Sequence, residues 1–226
     1  MTHTLLLRLI GPMQSWGVQS RFTERDTLTE PSKSGVVGLL CAAQGLEREA
    51  ADVFLADFNS ARVRMGVRVD REGLFKYDWH TAGKDGHRKA DGKLEDKTGI
   101  TSRRYYLADA AFLVGLESED LSLLERLYHA LTNPVWPLYL GRKAFVPGEP
   151  VNLKDGLKKD TTLEDALKKY PGLRPHQKET IRFVLEDNSS ATVRPDQPLS
   201  FSQRKFAPRR VSVTFVPAPE PIKEAA

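Results

Sequence analysis

From Arg62 to Asp70 the chain follows a period of two. Val63, Met65, Val67 and Val69 fall on one side, and Arg62, Arg64, Arg68 and Asp70 fall on the other. Only a β-strand separates side chains in this way. Thr4 to Ile10 reads as a second strand, with Leu5, Leu7 and Leu9 on one face and Gly11-Pro12 ending it. Between the two strands the period changes to that of a helix. Val36, Leu39, Leu40 and Ala43 make an apolar stripe, Ser32 or Ser34 caps its start, and Gly45 closes it. Gly35, Gly38 and Ala42 lie beside that stripe, and Cys41 sits inside the helix as a core residue. A shorter helix fits Glu47 to Phe58.

Lys84 to Gly99 carries no apolar period and holds many charges and glycines, as an exposed excursion does. Strand-like sequence resumes from Arg103 to Leu116. A helix follows from Ser118 to Thr132 and stops at Asn133-Pro134. This order predicts an α+β fold. Its core is a βαββαβ ferredoxin-like unit with a long hairpin inserted at about residues 76–104. Residues 1–147 form that unit, and residues 148–226 form a smaller, irregular extension packed on it. In the extension, Thr161 and Glu164 resemble a capping box for a helix ending at Pro171. Thr180 to Asp187 and Arg210 to Val216 read as strands, and the tail from Pro217 frays.

Charge is distributed unevenly. Arg62 to Leu107 holds twelve basic and seven acidic residues. That is a surplus of five in a chain whose total is +4, which leaves the remainder at −1. Such a stretch suits a polyanion, or else is a solvated loop. The single cysteine excludes an internal disulfide and a cysteine-built zinc site. None of His3, His80, His87, His129 and His176 has a His or Cys partner at ligand spacing, so no metal or cofactor is expected. Met1 to Gly11 lacks the features of a secretory signal, and its apolar run is too short to span a bilayer. The expected location is the cytoplasm.

Several residues invite a functional reading. Lys33 stands at a helix N-terminus, where free N–H groups and its own charge attract a phosphate. The alternative is an exposed lysine beside a serine cap. A Gly-Lys-Ser phosphate loop is excluded, because Lys33-Ser34 precedes its glycines. His80 is either a general base on an RNA 2′-hydroxyl or a hydrogen-bonded histidine at the hairpin root. Basic residues interleave with rings at Arg103-Arg104-Tyr105-Tyr106, at Gly141-Arg142-Lys143 after Trp136, and from Arg204 to Arg210. That pairing suits unpaired RNA, with cations on phosphates and rings on bases. Alternatively the rings face the core and the charges face water.

Four segments together resemble the CasD subunit family of the type I-E CRISPR Cascade complex, within the RAMP superfamily. They are Leu5-Leu6-Leu7-Arg8-Leu9-Ile10-Gly11-Pro12-Met13-Gln14-Ser15-Trp16-Gly17, Pro31 to Leu40, Asp78-Trp79-His80-Thr81, and Tyr139-Leu140-Gly141-Arg142-Lys143. Where that family has a small residue and Cys-Pro after the last motif, this chain has Ala144-Phe145-Val146-Pro147. The resemblance implies a ferredoxin-like (RRM-related) palm with a β-hairpin thumb. It implies a structural, non-catalytic subunit that caps the 5′ handle of the CRISPR RNA (crRNA). Its neighbours would be the repeated backbone subunit and the large PAM-reading subunit, with target DNA met only indirectly and no membrane involved. In a related subtype the cognate protein is itself a metal-independent endoribonuclease acting on precursor crRNA. That activity and a purely protein-binding scaffold are the competing readings. The expected RNA-contacting set is Gln14, Trp16, Lys33, Ser34, His80, Arg103, Arg104, Gly141, Arg142, Lys143 and Arg204. Trp16 either stacks on a base or is buried and braces its loop.

Overall fold

The computed structural model describes residues 1–18, 23–83, 86–88, 92–95, 99–175 and 179–220. The first half runs β1 (His3–Ile10), β2 (Met13–Gln14), β3 (Glu24–Arg25), α1 (Lys33–Gln44), α2 (Arg48–Ser60), β4 (Arg64–Arg71) and β5 (Leu74–Ala82). Then come β6 (His87–Arg88), β7 (Leu94–Glu95), β8 (Ile100–Ala108), β9 (Ala111–Ser118) and α3 (Leu121–Thr132). The last third holds β10 (Asn152–Lys158), α4 (Leu163–Lys169), β11 (Thr180–Glu186), β12 (Val193–Ser200) and β13 (Lys205–Pro217).

Seven of these strands form one sheet in the order β10-β1-β9-β4-β11-β13-β12. Both faces are covered over its central strands β1, β9 and β4. Leu5, Leu7, Leu9, Met65, Val67, Phe112 and Val114 pack against α1, α2 and α3. Leu6, Ile10, Leu113 and Phe183 pack against Leu163, Ala166 and Leu167 of α4. Burial on both sides explains why all eight residues of β9 are buried. Ser32 caps α1 by accepting from Gly35 N–H, and Gly45 closes it in the left-handed region at φ 68°.

Two-sided burial also decides where the polar side of the Arg62–Asp70 alternation goes: Arg68 and Asp70 are buried, while Arg62 and part of Arg64 remain open to solvent. Arg62 lies outside β4, in a turn at φ 49°. Arg68 is fully buried. It grips Asp70 at 2.6 and 2.9 Å and donates to the carbonyls of Leu167, Tyr170 and Pro171 at the end of α4. Arg64 pairs with Glu117 at 2.8 Å and Glu164 at 2.9 Å.

Smaller differences follow from local chemistry. The span Arg103 to Leu116 is two strands, because Asp109 turns the chain at φ 57°. The cap of α4 is Thr162, which accepts from Asp165 N–H, while Thr161 instead donates to the carbonyl of Lys159. The part after residue 147 is more regular than expected. It supplies β10 beside β1 and β11 beside β4, and β13 and β12 continue the sheet.

A second, small sheet carries the hairpin. β5 and β8 pair antiparallel without a register slip, from Leu74↔Ala108 to Ala82↔Ile100. On the other edge of β8 lie β2, antiparallel, and β3, parallel. Further out, β6 and β7 pair as His87↔Glu95 and Arg88↔Leu94. Of the charged residues counted in the basic stretch, Lys84, Asp85, Lys89, Asp91, Asp96 and Lys97 lie outside the described residues, as does His176. No helix among the described residues is long and apolar enough to cross a membrane.

Candidate nucleic-acid interface

Every residue of β5 is exposed. Alternation therefore sorts its side chains into two open faces. By register, Phe75, Tyr77 and Trp79 share a face with Leu107, Tyr105 and Arg103. The three rings of β5 are each more than half exposed. They touch in a row. Phe75 stacks on Tyr105 at 5.2 Å and 26°, Tyr105 meets Tyr77 at 5.8 Å, and Tyr77 meets Trp79 edge-on at 6.3 Å. The Arg103 guanidinium lies 4.8 Å from the centre of the Trp79 ring and 5.3 Å from that of Tyr77. Its Nη1 donates to the Tyr105 hydroxyl at 3.2 Å, while its Nε is buried without a hydrogen-bond partner.

The opposite face of β8 is cationic. Arg104 stands beside Arg25 of β3 in the parallel pairing. Arg142 reaches the same place from the turn after Leu140, donating from Nη2 to the Arg25 carbonyl at 3.2 Å. Its guanidinium covers the Phe145 ring at 5.5 Å, and Phe145 packs on Tyr106 of β8. Burial, then the like charges of Arg104 and Arg25, hold the Arg142 guanidinium below its ordinary pKa; Asp26 opposes them. An anion placed among these three arginines would relieve that repulsion.

The Met13–Trp16 segment fixes this geometry from beneath. Gln14 is fully buried and donates to the carbonyls of Leu9 and Ala110 at 3.1 and 2.9 Å. Its side-chain oxygen accepts from the Trp16 indole at 3.2 Å. Ser15 donates its amide to the Leu140 carbonyl and its hydroxyl to the Tyr105 carbonyl, both at 3.1 Å. Trp16 donates its amide to the Thr27 hydroxyl at 2.8 Å. The segment thus ties β8, the β3 loop and the Arg142 turn together.

These positions correct several expected contacts. Trp16 is only 1% exposed, so it braces the loop and presents no ring to a base. Gln14 is a brace for the same reason. Lys33 is 2% exposed, and its Nζ donates to the Val63 carbonyl at 2.7 Å and to Glu186 at 2.9 Å. The α1 N-terminus does meet an anion, but it is the Asp196 carboxylate, 2.8 Å from Lys33 N. Ser34 is half-buried beside the cap that Ser32 provides. Arg204 is exposed at φ 52° in the turn between β12 and β13, outside the small sheet. His80 is exposed on β5, on the face away from the ring row, and its carbonyl accepts from Ser102 at 3.2 Å. Arg104 and Arg142 do come together, with Gly141 in the turn just before Arg142, while Arg103 lies on the ring face of β8 and Lys143 is exposed. Among the described residues no cluster of His, Cys, Asp or Glu has the makings of a metal site.

Fold and surface together define a mixed α/β protein that carries an exposed ribbon, aromatic on one face and cationic on the other. Residues 4–212 match the family model described as "CRISPR-associated protein (Cas_Cas5)", and the chain belongs to that family. It is 33% identical over 152 residues to "CRISPR system Cascade subunit CasD" of Escherichia coli (strain K12), covering 64% of this chain and 67% of that protein. The structure reported as "Crystal structure of Cas protein" superposes with a TM-score of 0.75 at 45% identity, over 96% of this chain and 98% of the other. A chain of a "CRISPR RNA-guided surveillance complex" superposes with a TM-score of 0.75 at 33% identity, over 96% and 91%.

Proposed function

We propose that this protein is a crRNA-binding structural subunit of a Cascade-type surveillance complex, and that it caps the 5′ handle of the guide. The observation that carries the proposal is the convergence of Arg25, Arg104 and Arg142 beside an exposed aromatic hairpin. Single-stranded RNA asks for that combination of cations for phosphates and rings for bases. Family membership and relatives from a Cascade subunit and an RNA-guided surveillance complex support the same reading.

In this account the strands β10-β1-β9-β4, linked by α1 and α3, are a ferredoxin-like palm spanning residues 1–147 and borrowing β10 from the extension. The β5–β8 hairpin is its thumb. The repeated backbone subunit and the large PAM-reading subunit are its protein neighbours in the cytoplasm, and target DNA is met through the guide. The subunit is non-catalytic. His80 stands on the open hairpin with its described hydrogen bond made by the backbone, which supports a structural place for it over a general base. His80→Ala should leave precursor processing by the assembled complex unchanged.

Sequencing of the RNA that co-purifies with the protein tests the proposal. A uniform population beginning with one repeat-derived 5′ sequence is expected. A random set of cellular fragments would count against a handle-capping role.

A further inference from the structure

The row Phe75–Tyr105–Tyr77–Trp79 is the largest continuous group of exposed rings on the hairpin, and the cationic cluster does not account for it. Exposed apolar patches of this kind mark surfaces that a partner covers. We infer that this face is a stacking platform for unpaired bases of the guide RNA. The inference rests on the RNA-binding reading above and assigns the bases, as distinct from the phosphates, to particular side chains.

Three observations choose a nucleobase over an apolar protein side chain. First, the Arg103 plane already stands against Trp79 and Tyr77, so the face alternates π-systems with a guanidinium, the two groups on which bases stack. Second, among the described residues the Arg103 guanidinium donates only from Nη1, to the Tyr105 hydroxyl, which leaves Nη2 for the acceptor edges that every base carries. Third, the face is continuous with the phosphate cluster. Arg103 and Arg104 are successive residues of one strand, one facing the rings and the other facing Arg25 and Arg142. A chain that lays its phosphates along one side of β8 has its bases free to reach the other.

Phe75 to Trp79 covers four residue steps of strand, about 13 Å at ~3.3 Å per residue. That length offers ring faces to a short run of unpaired bases. Every base has a π-face, so the platform is tolerant of sequence and prefers only bases that stack well.

The test uses the full chain with Trp136 changed to Phe. Trp79 is then the only exposed tryptophan, since Trp16 is 1% exposed. A single-stranded RNA of repeat-derived 5′ sequence should quench the Trp79 emission in step with binding. Tyr77→Ala should weaken binding roughly tenfold without changing its salt slope, because no phosphate contact is lost. Trp79→Phe should keep affinity within about threefold while Trp79→Ala does not, since phenylalanine restores a π-face. All three side chains are exposed, and thermal unfolding should confirm that the variants fold.

Normal RNA affinity with an unmoved Trp79 signal would overturn the platform and leave the RNA-binding reading standing. Trp79→Ala that binds RNA as the parent does, yet no longer joins the complex, would reassign the face to a protein partner. No RNA binding even at low salt would remove both readings together.

Discussion

Gly141 packs directly on the Ser15 carbonyl: a Cβ on Gly141 would lie 1.7 Å from the Ser15 oxygen. The contact couples the turn that presents Arg142 to the segment that braces β8, and Gly141 holds it at φ 94°, where an L side chain is strained.

Gly141→Ala should therefore disturb both stability and the cationic cluster. The backbone conformation alone costs roughly 1–3 kcal/mol for a non-glycine residue, and the close contact adds to it. Thermal unfolding should show a midpoint lowered by several degrees, and RNA affinity should fall as Arg142 shifts. An unchanged midpoint would mean that the turn relaxes freely and that its link to Ser15 is incidental.

Lys33 gives the opposite prediction. Its ammonium is buried against Glu186 and the Val63 carbonyl. Lys33→Ala takes the close cation from the half-buried Glu186 carboxylate, which among the described residues then keeps the Met65 amide at 3.1 Å and Arg209 at 3.8 Å. The expected loss is about 3–5 kcal/mol of stability, as for other broken buried pairs. Chemical denaturation measures it. RNA binding of the folded fraction should keep the parent's salt slope, and a reduced slope would restore Lys33 to the phosphate contacts.

Glu30 supplies a dependence on pH. Burial pushes its carboxyl up, but hydrogen bonds from Arg182 and Thr29 and the charges of Arg194 and Arg182 outweigh burial. The net position is below the ordinary 4.5. A carboxylate with a lowered folded value stabilises above its unfolded value, and that contribution is lost as pH falls through the folded one. Stability should decline as pH drops below about 4.5, and Glu30→Gln should flatten that acid limb. Parallel acid limbs for the parent and Glu30→Gln would show that the Arg182–Glu30–Arg194 cluster contributes nothing to it.

Much of the scaffold was legible because it obeys local rules. The leucines of β1, the stripe of α1, the Ser32 cap and the Gly45 close are all set by residues within a few positions of one another. The burial of Arg68 was not legible, because a period of two separates two faces without saying which is wet. The cover on its face comes from Leu167 to Pro171, about a hundred residues onward. Lys33 was misread for a related reason. A helix N-terminus does draw an anion, but Asp196 supplies it and Glu186 takes the Lys33 ammonium, both from distant strands. The ring row carried a signal that went unused: Phe75, Tyr77 and Trp79 alternate with Lys76, Asp78 and His80. Only pairing with β8 adds Tyr105 and Arg103 to that face. Arg25 was unreadable, since β3 is two residues long and owes its place to β8.

Arg104 and Arg142 are assigned to RNA phosphates, and the salt dependence of RNA binding reads that contact out. The affinity of the parent and of Arg104→Ala/Arg142→Ala would be measured from low to moderate salt. The log–log slope of the double variant should be shallower by about 1.4, near 0.7 per lost phosphate contact on a single strand. Equal slopes for the two proteins would place the phosphates elsewhere.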